Sequence, residues 1–171
     1  LYDFTPVAEK LTGYDACFFC LGVTSVGATE ADYRRVTRDI PAAAGRVLAA
    51  RNPGMTFVLV TGRGTDATGT SKTMWARVKG EAENAILALP FKGKYVFRPG
   101  VIQPLHGITS RTPSYRVLYA LFSWVVPILR WLAPESMTTT ERMGRAMLNV
   151  ARRGYSKPVL ETADINAAAA S

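Results

Sequence analysis

The chain has 171 residues, 48% of them apolar, with 21 Lys+Arg against 13 Asp+Glu, one His and two Cys. That is enough for one packed domain and too little for two ordinary ones, and the charged and apolar fractions exclude global disorder. Two cysteines cannot staple a small secreted scaffold, and a single His excludes a multi-His metal centre, so no metal site is expected.

The chain opens on Leu1-Tyr2-Asp3-Phe4, with neither an initiator Met nor the basic n-region and apolar core of a signal peptide, so it reads as the interior of a longer gene product. Tyr14 to Leu21 is a short apolar run ended by Gly22, the pattern of a buried strand and its turn. Thr29-x-x-Asp32 then makes a capping-box-like helix start. Val36, Ile40, Ala44 and Leu48 recur at helical spacing, and Pro41 inside that pattern predicts a kink or a second helical segment. Asn52-Pro53-Gly54 ends it.

Thr56 to Thr61 is a second buried strand, followed by a Gly/Thr/Asp loop from Gly62 to Ser71. A helix runs from about Thr73 to Leu89, stopped by Pro90, and Lys94 to Arg98 is a third strand closed by Pro99-Gly100. A long loop to Pro113 leads into an apolar helix ending near Leu132. Thr138-x-x-Glu141 is another capping box, Met143, Met147 and Val150 stripe the helix it opens, and Gly154 is its C′ residue. Residues 158–161 form a last strand, and the Ala-rich tail Asn166 to Ser171 is expected to fray. Strands alternating with helices at these intervals predict a parallel α/β sheet in one domain.

The net charge of +8 is uneven: residues 1–85 carry 10 basic and 9 acidic groups, residues 86–171 carry 11 and 4. The excess is scattered, without a run of five or six like charges. It fits a solvated surface, a site for a phosphate-bearing cofactor or a membrane-facing side better than a nucleic-acid interface, so no nucleic-acid partner is expected.

Three local signals invite chemical readings. Cys17-x-x-Cys20 lies inside a strand pattern, where the two side chains point to opposite faces, so the pair reads as two buried core thiols rather than a redox or zinc motif. Gly62-Arg63-Gly64-Thr65-Asp66-Ala67 fits the G-x-G-x-x-A dinucleotide fingerprint, with Glu81 and Glu83 near the acidic offset. The helix does not begin within that motif, so a loop over the sheet's C-terminal edge is the competing reading. Val117 to Leu129 is apolar apart from Ser123, but thirteen residues at ~1.5 Å rise cover about 20 Å, short of the ~30 Å hydrocarbon core of a bilayer. Bordered by Arg111, Arg116 and Arg130, with Trp124 inside and Trp131 just after, this stretch is expected to line a pocket, pack in a homodimer or lie against a membrane interface.

The long-range order carries more. A strand ends at Thr61; fourteen residues on comes Trp75-Ala-Arg-Val-Lys79; the next strand ends in Arg98-Pro99-Gly100. This succession resembles the short-chain dehydrogenase/reductase superfamily in its atypical branch, similar to NAD-dependent epimerase/dehydratase proteins. The resemblance implies a Rossmann-like doubly wound parallel sheet, incomplete here because the family's first strand, Gly-rich loop and first helix would lie before Leu1. It implies NADP or NAD as cofactor, with Asp3 near the adenine and Leu21, Gly22, Lys79, Arg98, Pro99 and Gly100 around the nicotinamide end. It also implies a small-molecule substrate and a cytoplasmic location, peripheral to membranes if the apolar helix reaches one.

In the family a Ser or Thr polarises the carbonyl, a Tyr delivers the proton, and a Lys one helical turn along lowers the phenol's pKa and holds the ribose. Thr61 and Lys79 stand at two of those positions, but the third is Trp75, whose indole donates a hydrogen bond and cannot cycle a proton near neutral pH. His106, after the Arg98-Pro99-Gly100 turn, is either a replacement proton donor or an exposed loop residue. Two functions stand side by side: an epimerase- or oxidoreductase-type enzyme with a degenerate motif, and a non-catalytic scaffold or regulator that keeps the dinucleotide as a ligand and offers residues 117–132 to a partner or membrane.

Overall fold

The structure, a computed structural model, describes residues 3–105 and 136–171. His106, the loop to Pro113 and the apolar stretch with Trp124 and Trp131 lie outside the described residues.

Four strands, β1 (Ala16–Phe19), β2 (Thr56–Val60), β3 (Gly93–Arg98) and β6 (Val159–Glu161), form one parallel sheet in the order β1-β2-β3-β6. Two more, β4 (Val101–Gln103) and β5 (Met137–Thr139), pair with each other in a small parallel sheet. Register aligns Phe19 with Leu59, Val60 with Phe97 and Arg98 with Glu161, so the C-terminal ends of the large sheet's strands share one edge. Among the described residues the α-helices are α1 (Glu30–Arg34), α2 (Ile40–Arg51), α3 (Met74–Leu87), α4 (Thr140–Arg153) and α5 (Thr162–Ala170).

Both faces of the sheet are covered, as a continuous apolar strand requires. Phe57 and Leu59 of β2 pack with Leu48, Ala49, Ala82 and Ile86, which come from α2 and α3. Val58, one residue out of phase, packs on the other face with Met143, Met147, Val150 and Ile165 of α4 and α5. This is the Rossmann-like α/β arrangement that the order of elements predicts, here with four strands in the parallel sheet. Among the described residues β1 pairs with β2 alone. Among the described residues Phe18 of β1 remains exposed, as do Tyr14, Leu21, Val23 and Val26 around it.

Local chemistry explains most boundaries. Thr29 caps α1, its Oγ1 accepting from the Asp32 amide at 3.1 Å and donating to the Asp32 carboxylate. The predicted break at Pro41 is a wide π turn over Arg35–Asp39, after which α2 restarts with Pro41 in its first turn. A proline has no N–H for the carbonyl four residues back, and the widened turn absorbs that loss where a kink would otherwise stand. Gly45 in α2 lets that helix approach α3: a Cβ there would sit 2.8 Å from Ile86 Cδ1 and 2.7 Å from Leu89 Cδ1.

Three expectations need correction. The second capping residue is Thr139, whose Oγ1 accepts from the Arg142 amide, whereas Thr138 is a buried strand residue of β5. The stretch after Gly100, expected as loop, begins with β4, because its pairing partner lies more than thirty residues away and leaves no local trace. The tail does not fray: α5 holds Ile165 and Ala168 against α4, and Asn149 Nδ2 donates to the carbonyls of Ala168 and Ser171. Alanine is the best helix former, and its small side chain permits that close approach. Thr139→Ala should lower stability by about 1 kcal/mol, the usual loss of an N-cap, read as a drop in the urea midpoint at unchanged m-value.

Asn52, read from sequence only as a terminator, is a buried clamp. Its Oδ1 accepts from the amides of Gly13 and Tyr14, and its Nδ2 donates to the carbonyls of Leu11 and Leu48. These bonds fasten the 3₁₀ segment Thr5–Leu11 to the end of α2.

Candidate functional site

In parallel sheets the carboxyl ends of the strands are where ligands bind, and most of the singled-out residues converge there. Thr61 follows β2, and its backbone N–H donates to the Phe97 carbonyl, continuing the ladder one residue past the strand. Arg63 N–H donates to Pro99 O, and Gly100 N–H to Thr162 Oγ1, so the turns after β2, β3 and β6 are laced together. Leu21 and Gly22 leave β1 at the same edge and are exposed.

The α3 helix runs behind this edge and delivers Trp75 and Lys79, one turn apart. Lys79 Nζ is half-buried, donates to the Thr61 carbonyl at 2.9 Å and lies 5.7 Å from the Trp75 ring. Desolvation lowers the Lys79 pKa, and the negative charge of Glu83 partly opposes that shift. Gly62 leaves room for the ammonium: a Cβ there would stand 3.2 Å from Nζ. Two ammonium protons remain for a ligand after the bond to Thr61.

The Thr61 side chain turns the other way. Its hydroxyl donates to Glu83 Oε1 at 2.7 Å. Glu83 is fully buried on α3 and is also gripped by Arg98, whose Nε donates to Oε1 at 3.0 Å and whose Nη2 donates to Oε2. Arg98 reaches Glu161 as well, at 3.4 Å, and the Glu83 hydrogen bond is the main reason its pKa is raised. Thr61, Glu83, Arg98 and Lys79 are therefore one linked group. Glu83 as its hub was missed from sequence, although a carboxylate three residues before buried Ile86 and a lone Arg closing an apolar strand are the signal that names such a pair.

The fingerprint-like segment Gly62–Ala67 is a loop over the sheet edge. Gly64 has φ +85°, Thr65 is buried with its hydroxyl on the Gly62 carbonyl, and Asp66 N–H donates to Ala76 O. The helix begins only at Met74, so no helix N-terminus stands behind the glycines. Of the two acids at the fingerprint's offset, Glu83 is in the buried group and Glu81 is paired with Arg34. Asp3 lies elsewhere, at the head of the 3₁₀ segment, with hydrogen bonds to Thr5 lowering its pKa.

The cysteine reading changes in part. Cys17 is half-buried beside the α2–α3 cluster, and burial pushes its thiol up to about 11, but Cys20, past the end of β1, is exposed.

No protein-family model matches the sequence. Among curated proteins, the chain is similar to "Protein HTATIP2" of Rattus norvegicus, 36% identical over 95 residues that cover 56% of this chain and 38% of that protein. It is similar to "Protein FMP52-1, mitochondrial" of Scheffersomyces stipitis, 33% identical over 98 residues, 56% of this chain and 42% of that protein. "Protein FMP52-2, mitochondrial" of the same yeast matches at 33% over 98 residues, with 56% and 41% covered. The matched part of the chain thus spans about two fifths of these relatives' length. Among the described residues no helix is long and apolar enough to cross a membrane.

Proposed function

We propose that residues 1–171 act as one Rossmann-like unit carrying the nicotinamide end of an NADP or NAD site, of the atypical short-chain dehydrogenase/reductase kind. The observation that supports this best is the Lys79 ammonium, set on the Thr61 carbonyl at the C-terminal edge one turn from Trp75. The two ammonium protons left after the bond to Thr61 suit a ribose diol. Leu21, Gly22, Arg98, Pro99 and Gly100 border the same edge and would face the ring, while Asp3 is assigned to the adenine end.

A bound nicotinamide would supply or accept hydride. In this reading Lys79 orients the ribose, and Trp75 offers an indole N–H to the substrate oxygen. Thr61 polarises a carbonyl only after its hydroxyl leaves Glu83. The proton comes from water or from His106, since no phenol stands at Trp75. The reaction would be the reduction or epimerisation of a small carbonyl substrate, in the cytoplasm.

The test is a titration with NADH and NADPH followed by tryptophan fluorescence and, independently, by calorimetry. Saturable quenching that disappears in Trp75→Phe, with calorimetric binding retained, is expected. Absence of heat from either dinucleotide overturns the reading.

A second reading is favoured by one observation: the Thr61 hydroxyl is bound to Glu83 and an indole replaces the phenol, so neither group of the family's acid–base pair is set for turnover. The chain would then be a dinucleotide-dependent scaffold or regulator, meeting a partner, a second copy or a membrane surface through residues 117–132. Trp75→Tyr separates the two. Ketone or aldehyde reduction with NADPH appearing in that variant supports the enzyme; binding without turnover across a substrate panel supports the scaffold.

A further inference from the structure

Beside the Lys79 edge lies a cavity of about 480 Å³, bounded by Arg63, Gly64, Arg98, Ser136, Glu161 and Thr162 among others. It opens between the turns that follow β2, β3 and β6. Gly64 separates it from Trp75: a Cβ on Gly64 would stand 3.2 Å from the indole Cη2. A molecule held here would therefore sit next to the proposed nicotinamide end.

The cavity's charges are unequal in commitment. Arg98 is neutralised by buried Glu83 and reaches Glu161. Glu161 is itself occupied, its carboxylate accepting from the third backbone N–H of α5 in a reciprocal capping box with Asp164. Arg63 differs. Its backbone is fixed by the bond to Pro99 O, while its exposed guanidinium donates through Nη1 to Ser136 Oγ at 2.8 Å and has no carboxylate partner among the described residues. A guanidinium carries five N–H donors in a planar fork that matches a carboxylate or phosphate bidentately. Ser136 accepts from that fork and keeps its own proton to donate. The first turn of α5, with Thr162 and Ala163 on the wall, is already capped by the Glu161 carboxylate, so Arg63 and Ser136 carry the anion recognition.

We propose that this cavity is a substrate subsite for a small organic anion, with Arg63 as the group that grips its carboxylate or phosphate and Ser136 as the second donor. This deepens the reading above, since it assigns the carbonyl substrate a negatively charged end pointing away from Trp75. The bond from Nη1 to Ser136 aims the fork, and the backbone bond to Pro99 fixes the arginine's Cα beside the turn after β3.

The test uses acetoacetate as the carboxylate probe, inorganic phosphate as the second anion and methyl acetoacetate as the uncharged control, titrated into the protein by NMR or calorimetry without dinucleotide. Acetoacetate or phosphate is expected to bind, weakened about tenfold in Arg63→Ala and less in Arg63→Lys, with added salt acting in the same direction. Whichever anion binds more tightly identifies the headgroup. Methyl acetoacetate should not distinguish the variants, and the NADPH affinity of Arg63→Ala should equal that of the unaltered chain. The proposal is overturned by equal anion binding in Arg63→Ala, by no anion binding up to about 10 mM, or by loss of NADPH affinity in that variant, which would hand Arg63 to the dinucleotide. Because the anion titration needs no cofactor, it stands or falls separately from the dinucleotide reading.

Discussion

Gly80→Ala should be among the most damaging single-methyl additions in the chain, costing about 3 kcal/mol or more. Gly80 is in the middle of α3, where glycine ordinarily costs up to about 1 kcal/mol relative to alanine, so intrinsic propensity alone predicts a gain. The tertiary contact reverses the sign. A Cβ at this position would lie 1.8 Å from the carbonyl oxygen of Asp66 and 2.9 Å from the Cα of Ala67. Both are backbone atoms and cannot rotate away as a side chain would. The loop must retreat from the helix, and with it go the Asp66–Ala76 backbone bond and the bonds that the amides of Thr68 and Ser71 donate to the Asp66 carboxylate. Urea unfolding gives the global loss, and the Trp75 emission of the folded state reports the loop, because Gly64 rests on that indole. A neutral or stabilising effect of Gly80→Ala would show that the loop and α3 do not touch in solution.

Glu83→Leu is the second large effect, about 3 kcal/mol or more. It leaves a guanidinium that is 15% exposed with only the 3.4 Å contact to exposed Glu161, and frees the Thr61 hydroxyl inside the protein. The cost is that of an abandoned charge more than of a lost attraction, since desolvating both ions consumes most of what their pairing gives. The double variant Glu83→Leu with Arg98→Met should therefore recover much of the loss, and a double-mutant cycle measures the coupling. The single variant also has an electrostatic signature. Glu83 is the group that opposes the desolvation of Lys79, so its removal should lower the Lys79 pKa further. An NMR titration of the Lys79 side chain showing no shift, or a rise, would separate Glu83 from the site.

These two positions mark what sequence could and could not reveal. The run Phe57-Val-Leu-Val60 announces a strand buried on both faces, and Thr29-x-x-Asp32 announces a cap, because both are written in consecutive residues. The convergence of Thr61, Lys79 and Arg98 at the C-terminal edge was legible through their placement after successive strands. The role of Glu83 was not: its two partners, Thr61 just after β2 and Arg98 at the end of β3, lie 22 and 15 residues away, and only the fold brings them to one carboxylate. Likewise β4 is too short to be told from a loop without Met137–Thr139 beside it. Thr138 fits the Thr-x-x-Glu pattern through Glu141, but its side chain is buried in β5, and Thr139, with Arg142 at that offset, is the residue that caps α4.

The outer edge of β1 has a bearing on how the chain behaves in company. Natural sheets blunt such edges with lysine, proline, a bulge or a covering loop. Ala16-Cys-Phe-Phe19 carries neither charge nor proline, and among the described residues no strand takes up its second row of amides and carbonyls. With Phe18 and Leu21 exposed along it, the edge is a template for another strand, from elsewhere in the same polypeptide or from a second copy. The same row of amides that extends a sheet within one molecule also joins two, so the strand that occupies this edge decides whether the sheet grows within the chain or between chains.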